Sequence, residues 1–153
     1  MSLMSATQRA AERVLAATRY VVLATADADG RPWATPVWFA RDARRILWVS
    51  DPSARHSRNI AARADIALVV FDSQVPVGGA SAYYARARAE EVPPAEVDDG
   101  IAVFNRASVA QGMESWRAAD VSGAARLHLY RATVEEQWVL AEDGGPDRRL
   151  SVG

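Results

Sequence analysis

The sequence contains no cysteine and no lysine. Without cysteine, disulfides, thiol nucleophiles and cysteine-based metal sites are excluded. Without lysine, Schiff-base chemistry and a lysine contact to phosphate are excluded, and all 18 basic residues are arginine. Because the two histidines have no close ligand spacing with carboxylates, we predict no metal site.

Long hydrophobic runs and an excess of charge are also missing. No apolar run approaches the roughly 20 residues that cross a bilayer, and the first residues carry acid and base instead of a secretory apolar stretch. The formal net charge is −1, which gives no general attraction to nucleic acid or anionic membranes. We therefore expect a cytoplasmic protein without nucleic-acid or membrane partners.

The length and composition are those of one small globular unit. With 153 residues, half of them hydrophobic, the chain suits a single domain over residues 1–153. We expect residues 1–5 and 142–153 to be flexible.

Several helices are predicted from start signals and helical spacing. Ser5 and Gln8 form a capping box that opens a helix over 6–17. Asp51-Pro52 predicts the start of a polar surface helix with Ile60 pointing inward. Pro93-Pro94 opens another, with Val97, Ile101 and Phe104 on its inner face, and a short helix is expected around 113–118.

Strand patterns outnumber the helices. Residues 81–92 alternate clearly, with one face carrying Tyr84, Arg86, Arg88 and Glu90 and the other carrying Tyr83, Ala85, Ala87 and Ala89. The other predicted strands are 20–25, 33–40, 46–50, 65–72 and 125–140, the last being one long strand or two. Because tight turns join several of them and no GxGxxG motif or P-loop follows a strand, a closed or partly open antiparallel barrel with flanking helices is predicted.

Two local features suggest binding chemistry. Pro36 interrupts an apolar strand, and since proline donates no hydrogen bond, it marks a bulge, a barrel corner or a plain edge strand. The segment 50–59 concentrates serine, arginine and histidine where a strand ends and a helix begins, which favours an anion. The alternative interpretation of this segment is a solvated basic helix face.

Taken together, the sequence resembles the pyridoxamine 5′-phosphate oxidase-like family of flavin-binding split barrels. The resemblance covers about 14–140 and depends on several short motifs in the family's order. These are the Gly-Arg-Pro turn at 30–32, TPVWF at 35–39, LWVS at 47–50, ARHSRNI at 54–60, ALVVF at 67–71, RARAEEV at 86–92 and EEQWVL at 135–140. It implies a mainly β (α+β) fold, a six-stranded antiparallel split β-barrel with flanking helices.

The resemblance also implies a homodimer that binds FMN between its protomers and acts on a small-molecule substrate. Thr35, Pro36 and Val37 would lie along the isoalloxazine ring, and Val49 and Ser50 would flank the ribityl chain. Arg55 and His56 would contact the phosphate, with Ser53 as a further hydroxyl donor at the same strand end. Trp138 would approach the flavin across the subunit interface, while Asn59 and Ile60 would anchor the helix.

The departures from the family pattern qualify this hypothesis. His56 stands where the family often has lysine, and Thr35 where relatives often carry an arginine. The C-terminal Arg-x-His that reads pyridoxal phosphate is missing, which predicts that the protein is not the pyridoxal phosphate-forming oxidase. A deazaflavin-dependent reductase and a non-catalytic cofactor- or haem-binding module remain alternatives to an FMN oxidoreductase, and no catalytic residue is assigned.

Overall fold

The computed structural model describes residues 3–153 and contains three α-helices, two short 3₁₀ helices and eight strands in that range. The helices are α1 (Ala6–Ala17), α2 (Arg55–Ala62) and α3 (Val97–Ala110), and the 3₁₀ helices span Pro94–Glu96 and Ala118–Val121. The strands are β1 (Tyr20–Ala26), β2 (Pro32–Trp38), β3 (Ala40–Asp42), β4 (Arg45–Ser50), β5 (Asp65–Phe71), β6 (Ala82–Glu91), β7 (His128–Leu140) and β8 (Arg149–Ser151).

One antiparallel sheet curls into a split barrel. Its strand order is β2-β1-β5-β6-β7-β4-β3, with β8 added beside β7. β2 and β3 lie at opposite ends of this order, yet only Phe39 separates them in the chain. The sheet must therefore curve until its two ends meet, which confirms the predicted split β-barrel and its mainly β class.

Side-chain alternation divides the buried residues between two cores. On β4, Ile46 and Trp48 belong to the core enclosed by the barrel, which α1 and α2 complete. Leu47, between them, points to the opposite face and joins Ile101 and Phe104 of α3 in a second core. Successive residues of one strand thus hold the barrel together and fix α3 on its outside.

The local signals of α1, α3 and β6 are confirmed. The N–H of Gln8 donates to Oγ of Ser5 at 3.1 Å, and the N–H of Ser5 donates to Oε1 of Gln8 at 2.7 Å, which completes the capping box. Val97, Ile101 and Phe104 are buried, and so is the alanine-bearing face of β6 predicted from alternation.

The predicted count of six strands is too low, because two short strands carry no alternating pattern of their own. β3 follows β2 after one residue and forms a hairpin with β4. β8 lies in the tail predicted to be flexible, where it pairs with β7 and is followed by buried Val152. The predicted strand 125–140 is one continuous strand, β7, beginning at His128.

The predicted helix start at Asp51-Pro52 is wrong. Oδ1 of Asp51 accepts hydrogen bonds from the N–H and the hydroxyl of Ser53, both at 2.8 Å, and so stabilises a turn. The helix begins three residues later, at Arg55. The short helix expected around 113–118 also lies elsewhere, as the 3₁₀ turn Ala118–Val121.

Candidate cofactor-binding site

The junction between β4 and α2 brings together Ser50, predicted to flank the ribityl chain, and the predicted phosphate residues Arg55 and His56. Nε2 of His56 and Oγ of Ser50 are 2.8 Å apart, which is a hydrogen-bond distance. The guanidinium of Arg55 lies over the ring of Trp33, 4.4 Å from its centroid. This cation–π contact holds the charge of Arg55 beside β2.

The first turn of α2 leaves its amide groups open. Ala54 occupies the N-cap position and supplies no capping hydrogen bond. The first N–H groups of a helix have no intrahelical acceptor, and the helix dipole places partial positive charge there. Together with Arg55 and His56, this end of α2 has the donors that a phosphate group requires.

His56 is less free to ionise than an exposed histidine. Burial lowers the pKa of His56 below its ordinary value of 6.5. The imidazole is therefore mainly neutral at neutral pH in the ligand-free protein, with Nε2 held beside Ser50. Arg55 alone then brings a permanent charge to the junction.

Buried polar contacts fix α2 on the barrel. Nδ2 of Asn59 donates to Oγ1 of Thr25 on β1 at 3.0 Å, and that hydroxyl donates to the carbonyl of Trp33 on β2 at 3.4 Å. Asn59 and Ile60 are both buried. The predicted anchoring role of these two residues agrees with this geometry, although the sequence alone did not indicate the burial of Asn59 beside Ile60.

A cavity of about 850 Å³ opens next to this junction, in the split between β2 and β4. Val37 and Val49 form its strand wall, and both were predicted cofactor residues. The opposite wall comes from α3 and the segment after it, through Phe104, Met113 and Trp116. The volume lies in the range of small-molecule and cofactor sites.

The strand β2 is an edge of the sheet, which is one of the three placements expected for Pro36. Pro36 pairs in register with Val22 of β1, and within residues 3–153 no strand pairs with the other side of β2. Every second residue of an edge strand points its main-chain groups away from the neighbouring strand. Thr35 lies on the same face of β2 as Trp33 and Val37, toward α2 and the cavity.

Val49, Ser50 and Ser53 were all predicted to bind the cofactor, but each has a different environment in the structure. Val49 and Ser50 point to opposite faces of β4, so only Val49 lines the cavity while Ser50 contacts His56. The hydroxyl of Ser53 already donates to Asp51, and this bond, with that of the Ser53 N–H, keeps the pKa of Asp51 below its usual value.

Trp138 lies far from the junction within one chain. Pro36, Val22, Val69, Tyr84 and Trp138 form one row of paired residues across the sheet. Along β7, His128 pairs with Ser50 at the junction, and Trp138 lies ten residues further on, about 33 Å along the strand. Within one chain Trp138 therefore lies away from the β4–α2 junction.

Several residues of the site could not be assigned to it from any local sequence pattern. Trp33, Trp38 and Phe104 are brought to it by pairing and packing, and nothing local distinguishes them from core aromatics. Trp48 is fully buried, as expected for packing. Trp116, also predicted to pack, does so against Phe104 and in addition lines the cavity.

Two further properties of residues 3–153 are relevant to function. In this range no group of three or more metal-ligating side chains is arranged to hold a metal ion. No helix in the described part of the chain is both long and apolar enough to span a membrane.

A split barrel with open helix amides and an arginine at a strand end has the donors that the phosphate of a cofactor would require. Residues 7–140 match the family model described as pyridoxamine 5′-phosphate oxidase. The chain belongs to this family. No curated protein matches the chain in sequence.

Solved structures share the fold at low sequence identity. A haem-binding protein from Mycobacterium smegmatis is 16% identical with a TM-score of 0.74, and the match covers 98% of this chain and 60% of that one. A FAD-binding protein from Mesorhizobium loti is 20% identical with a TM-score of 0.62, covering 89% and 94%. An F420 reductase is 20% identical with a TM-score of 0.60, covering 92% and 100%.

Proposed function

We propose that the protein is a homodimeric oxidoreductase that binds FMN at the β4–α2 junction and in the adjoining cavity. The observation that carries this proposal is the convergence of Arg55, His56 and the uncapped first turn of α2 beside a cavity lined by Val37 and Val49. The cationic end of α2 would hold the phosphate of a flavin nucleotide, and the apolar cavity would hold its ring.

The residues fit a flavin by the chemistry of their donors. Arg55 offers paired N–H groups for the phosphate, and the α2 amides add neutral donors. Pairing with β1 uses the main-chain groups of Thr35 and Val37, whereas those of Ala34 and Pro36 point away from β1 and would meet the rim of a planar ring. When bound, the flavin supplies hydride chemistry, while the protein orients it and excludes water.

The family and its structural relatives support a flavin without selecting one. One similar structure is called FAD-binding and another an F420 reductase, so a deazaflavin is the direct alternative to FMN. A third is called haem-binding, which keeps a non-catalytic carrier as the alternative of another class. The absence of an arginine from the cavity wall gives no support to pyridoxal phosphate formation.

Titration of FMN into the purified protein tests the proposal. Binding should quench flavin fluorescence at micromolar protein. Arg55→Ala should weaken binding by roughly ten- to a hundredfold, since a hydrogen bond to a charged group contributes about 1.5–3 kcal/mol. Arg58→Ala is the matched control, because Arg58 is also exposed but lies one turn further along α2, beyond its open first amides, with its N–H bonded to the carbonyl of Ala54.

Three results would change the assignment. Tight binding of a deazaflavin with no binding of FMN would move the cofactor to the alternative. Haem binding with neither flavin would favour the carrier. Equal weakening by Arg55→Ala and Arg58→Ala would remove the phosphate contact proposed for Arg55.

The dimer is proposed from the outer face of the sheet. Tyr20 and Phe71 are 59% and 50% exposed there, and Val22, Val69 and Trp138 extend the same apolar face. A face of this kind on a small protein favours association. A second protomer on it would also bring its own Trp138 toward a site that the first protomer's Trp138 is too distant to reach.

A further inference from the structure

The cavity beside β2 has two chemically different walls. The strand wall, formed by Val37 and Val49, belongs to the proposed cofactor site. The second wall, called here the aromatic wall, consists of Trp38, Phe104, Met113 and Trp116. Trp38 follows Val37 on β2, and Phe104, Met113 and Trp116 come from α3 and the segment after it.

The aromatic wall is rigid. Trp38 packs edge-on against Phe104 with ring centroids 5.0 Å apart, and Phe104 packs edge-on against Trp116 at 6.5 Å. Asn105 holds the main chain of Trp116 twice, donating to its carbonyl at 2.8 Å and accepting from its N–H at 2.7 Å. Such a fixed arrangement of rings suits a planar apolar ligand.

The two ionisable side chains that line the cavity, Glu114 and Asp120, are both acidic. Asp120 is paired with Arg117, whose guanidinium lies 3.0 Å from Oδ1 of Asp120. Glu114 is exposed and forms no ion pair within residues 3–153. An anionic ligand would therefore meet the carboxylate of Glu114, while the charge of Arg117 is already paired with Asp120.

We infer that the aromatic wall binds the substrate, and that this substrate is a planar aromatic compound without negative charge. This inference rests on the proposed function, because the strand wall is assigned to the flavin. The exposed carboxylate of Glu114, at the rim of the cavity, disfavours an anionic ligand. The indole and phenyl rings supply the area of contact with the ligand. The N–H of Trp38 donates to Gln111, so this wall offers the ligand few polar contacts.

Three naphthalene compounds of equal shape test the charge preference directly. They are 2-naphthylmethanol, which is neutral, 2-naphthylmethylamine, which is cationic, and 2-naphthoate, which is anionic. Calorimetric titration into the protein, without and then with saturating FMN, should show the first two binding about tenfold or more tighter than the anion, because a carboxylate would be desolvated there unpaired.

Charge reversal at the rim makes the test specific. Glu114→Arg should improve binding of 2-naphthoate and weaken that of the amine. Glu135→Arg, the same change on an exposed residue of β7 away from the cavity, should leave both unchanged. Equal responses to the two variants would overturn the inference, as would tighter binding of the anion to the unaltered protein.

The FMN titration separates this inference from the proposed function. Normal FMN binding with no naphthalene binding would overturn the substrate class and leave the cofactor assignment intact. Naphthalene binding in the expected charge order without FMN binding would support the aromatic wall as a ligand site and contradict the cofactor assignment.

Discussion

At the scale of single residues, His56 is the group whose state a bound phosphate would change. Burial lowers its pKa in the free protein, whereas a neighbouring dianion favours the charged form. Binding of FMN should therefore take up a proton. Asp51, in the same segment, stays ionised because hydrogen bonds from the N–H and the hydroxyl of Ser53 hold its pKa below the usual value.

The expected result is an FMN affinity that is greatest at mildly acid pH and falls as pH rises across the titration range of His56, by about tenfold for each unit of pKa shift on binding. Fluorescence titration at several pH values measures it. His56→Lys should bind with an affinity that changes little over this range, because lysine stays charged unless burial lowers its pKa strongly. A steep pH dependence that persists in His56→Lys would show that another group takes up the proton.

The site residues also show what the sequence could predict. Arg55, His56 and Ser50 lie within seven positions of one another, and their clustering at a strand end follows from local signals. The Arg55–Trp33 contact and the Asn59–Thr25 hydrogen bond join residues more than twenty positions apart. Such contacts depend on strand pairing, which no local pattern specifies.

At the scale of elements, α3 approaches the barrel unusually closely at Gly100. A Cβ there would lie 2.8 Å from Cδ2 of Leu129 and 3.5 Å from Cδ2 of Leu47. Gly100→Ala should lower the free energy of unfolding by about 1 kcal/mol, because overpacking costs about 1–3 kcal/mol and helix propensity returns about 1. Urea denaturation measures the change.

Shortening the opposing side chain should reverse the sign of that effect. In a Leu129→Ala background, the added methyl fills space, so Gly100→Ala should then raise the free energy of unfolding. Ala102→Gly, on the exposed side of α3, should cost about 1 kcal/mol in both backgrounds. A Gly100→Ala effect that is the same with and without Leu129 would contradict the close contact.

Helices and strands could be predicted from the sequence where a single local pattern was clear. The capping box defined α1, and alternation defined β6. At Asp51 two signals competed, and the hydrogen bonds from Ser53 stabilise a turn in place of a helix start. β3 and β8 have three residues each, too few to show a period, and depend on pairing with β4 and β7.

At the scale of the whole molecule, the proposed dimer can be tested by light scattering. The measured mass should be twice the 16.6 kDa of one chain. Phe71→Arg, in the apolar outer face, should give monomers, because burying an unpaired guanidinium in that interface is costly. Val77→Arg, in the fully exposed loop after β5, should remain a dimer. A monomer mass for the unaltered protein would overturn both the dimer and the shared site.

The single residue between β2 and β3 has a consequence for how the barrel forms. The β1–β2 and β3–β4 hairpins are local and can form early, but neither closes the barrel. Closure requires β4 to pair with β7, which brings Arg45 beside Thr133. Contacts of such long sequence separation slow folding. During synthesis the barrel therefore stays open until β7 has left the ribosome, and the cavity between β2 and β4 does not form before then.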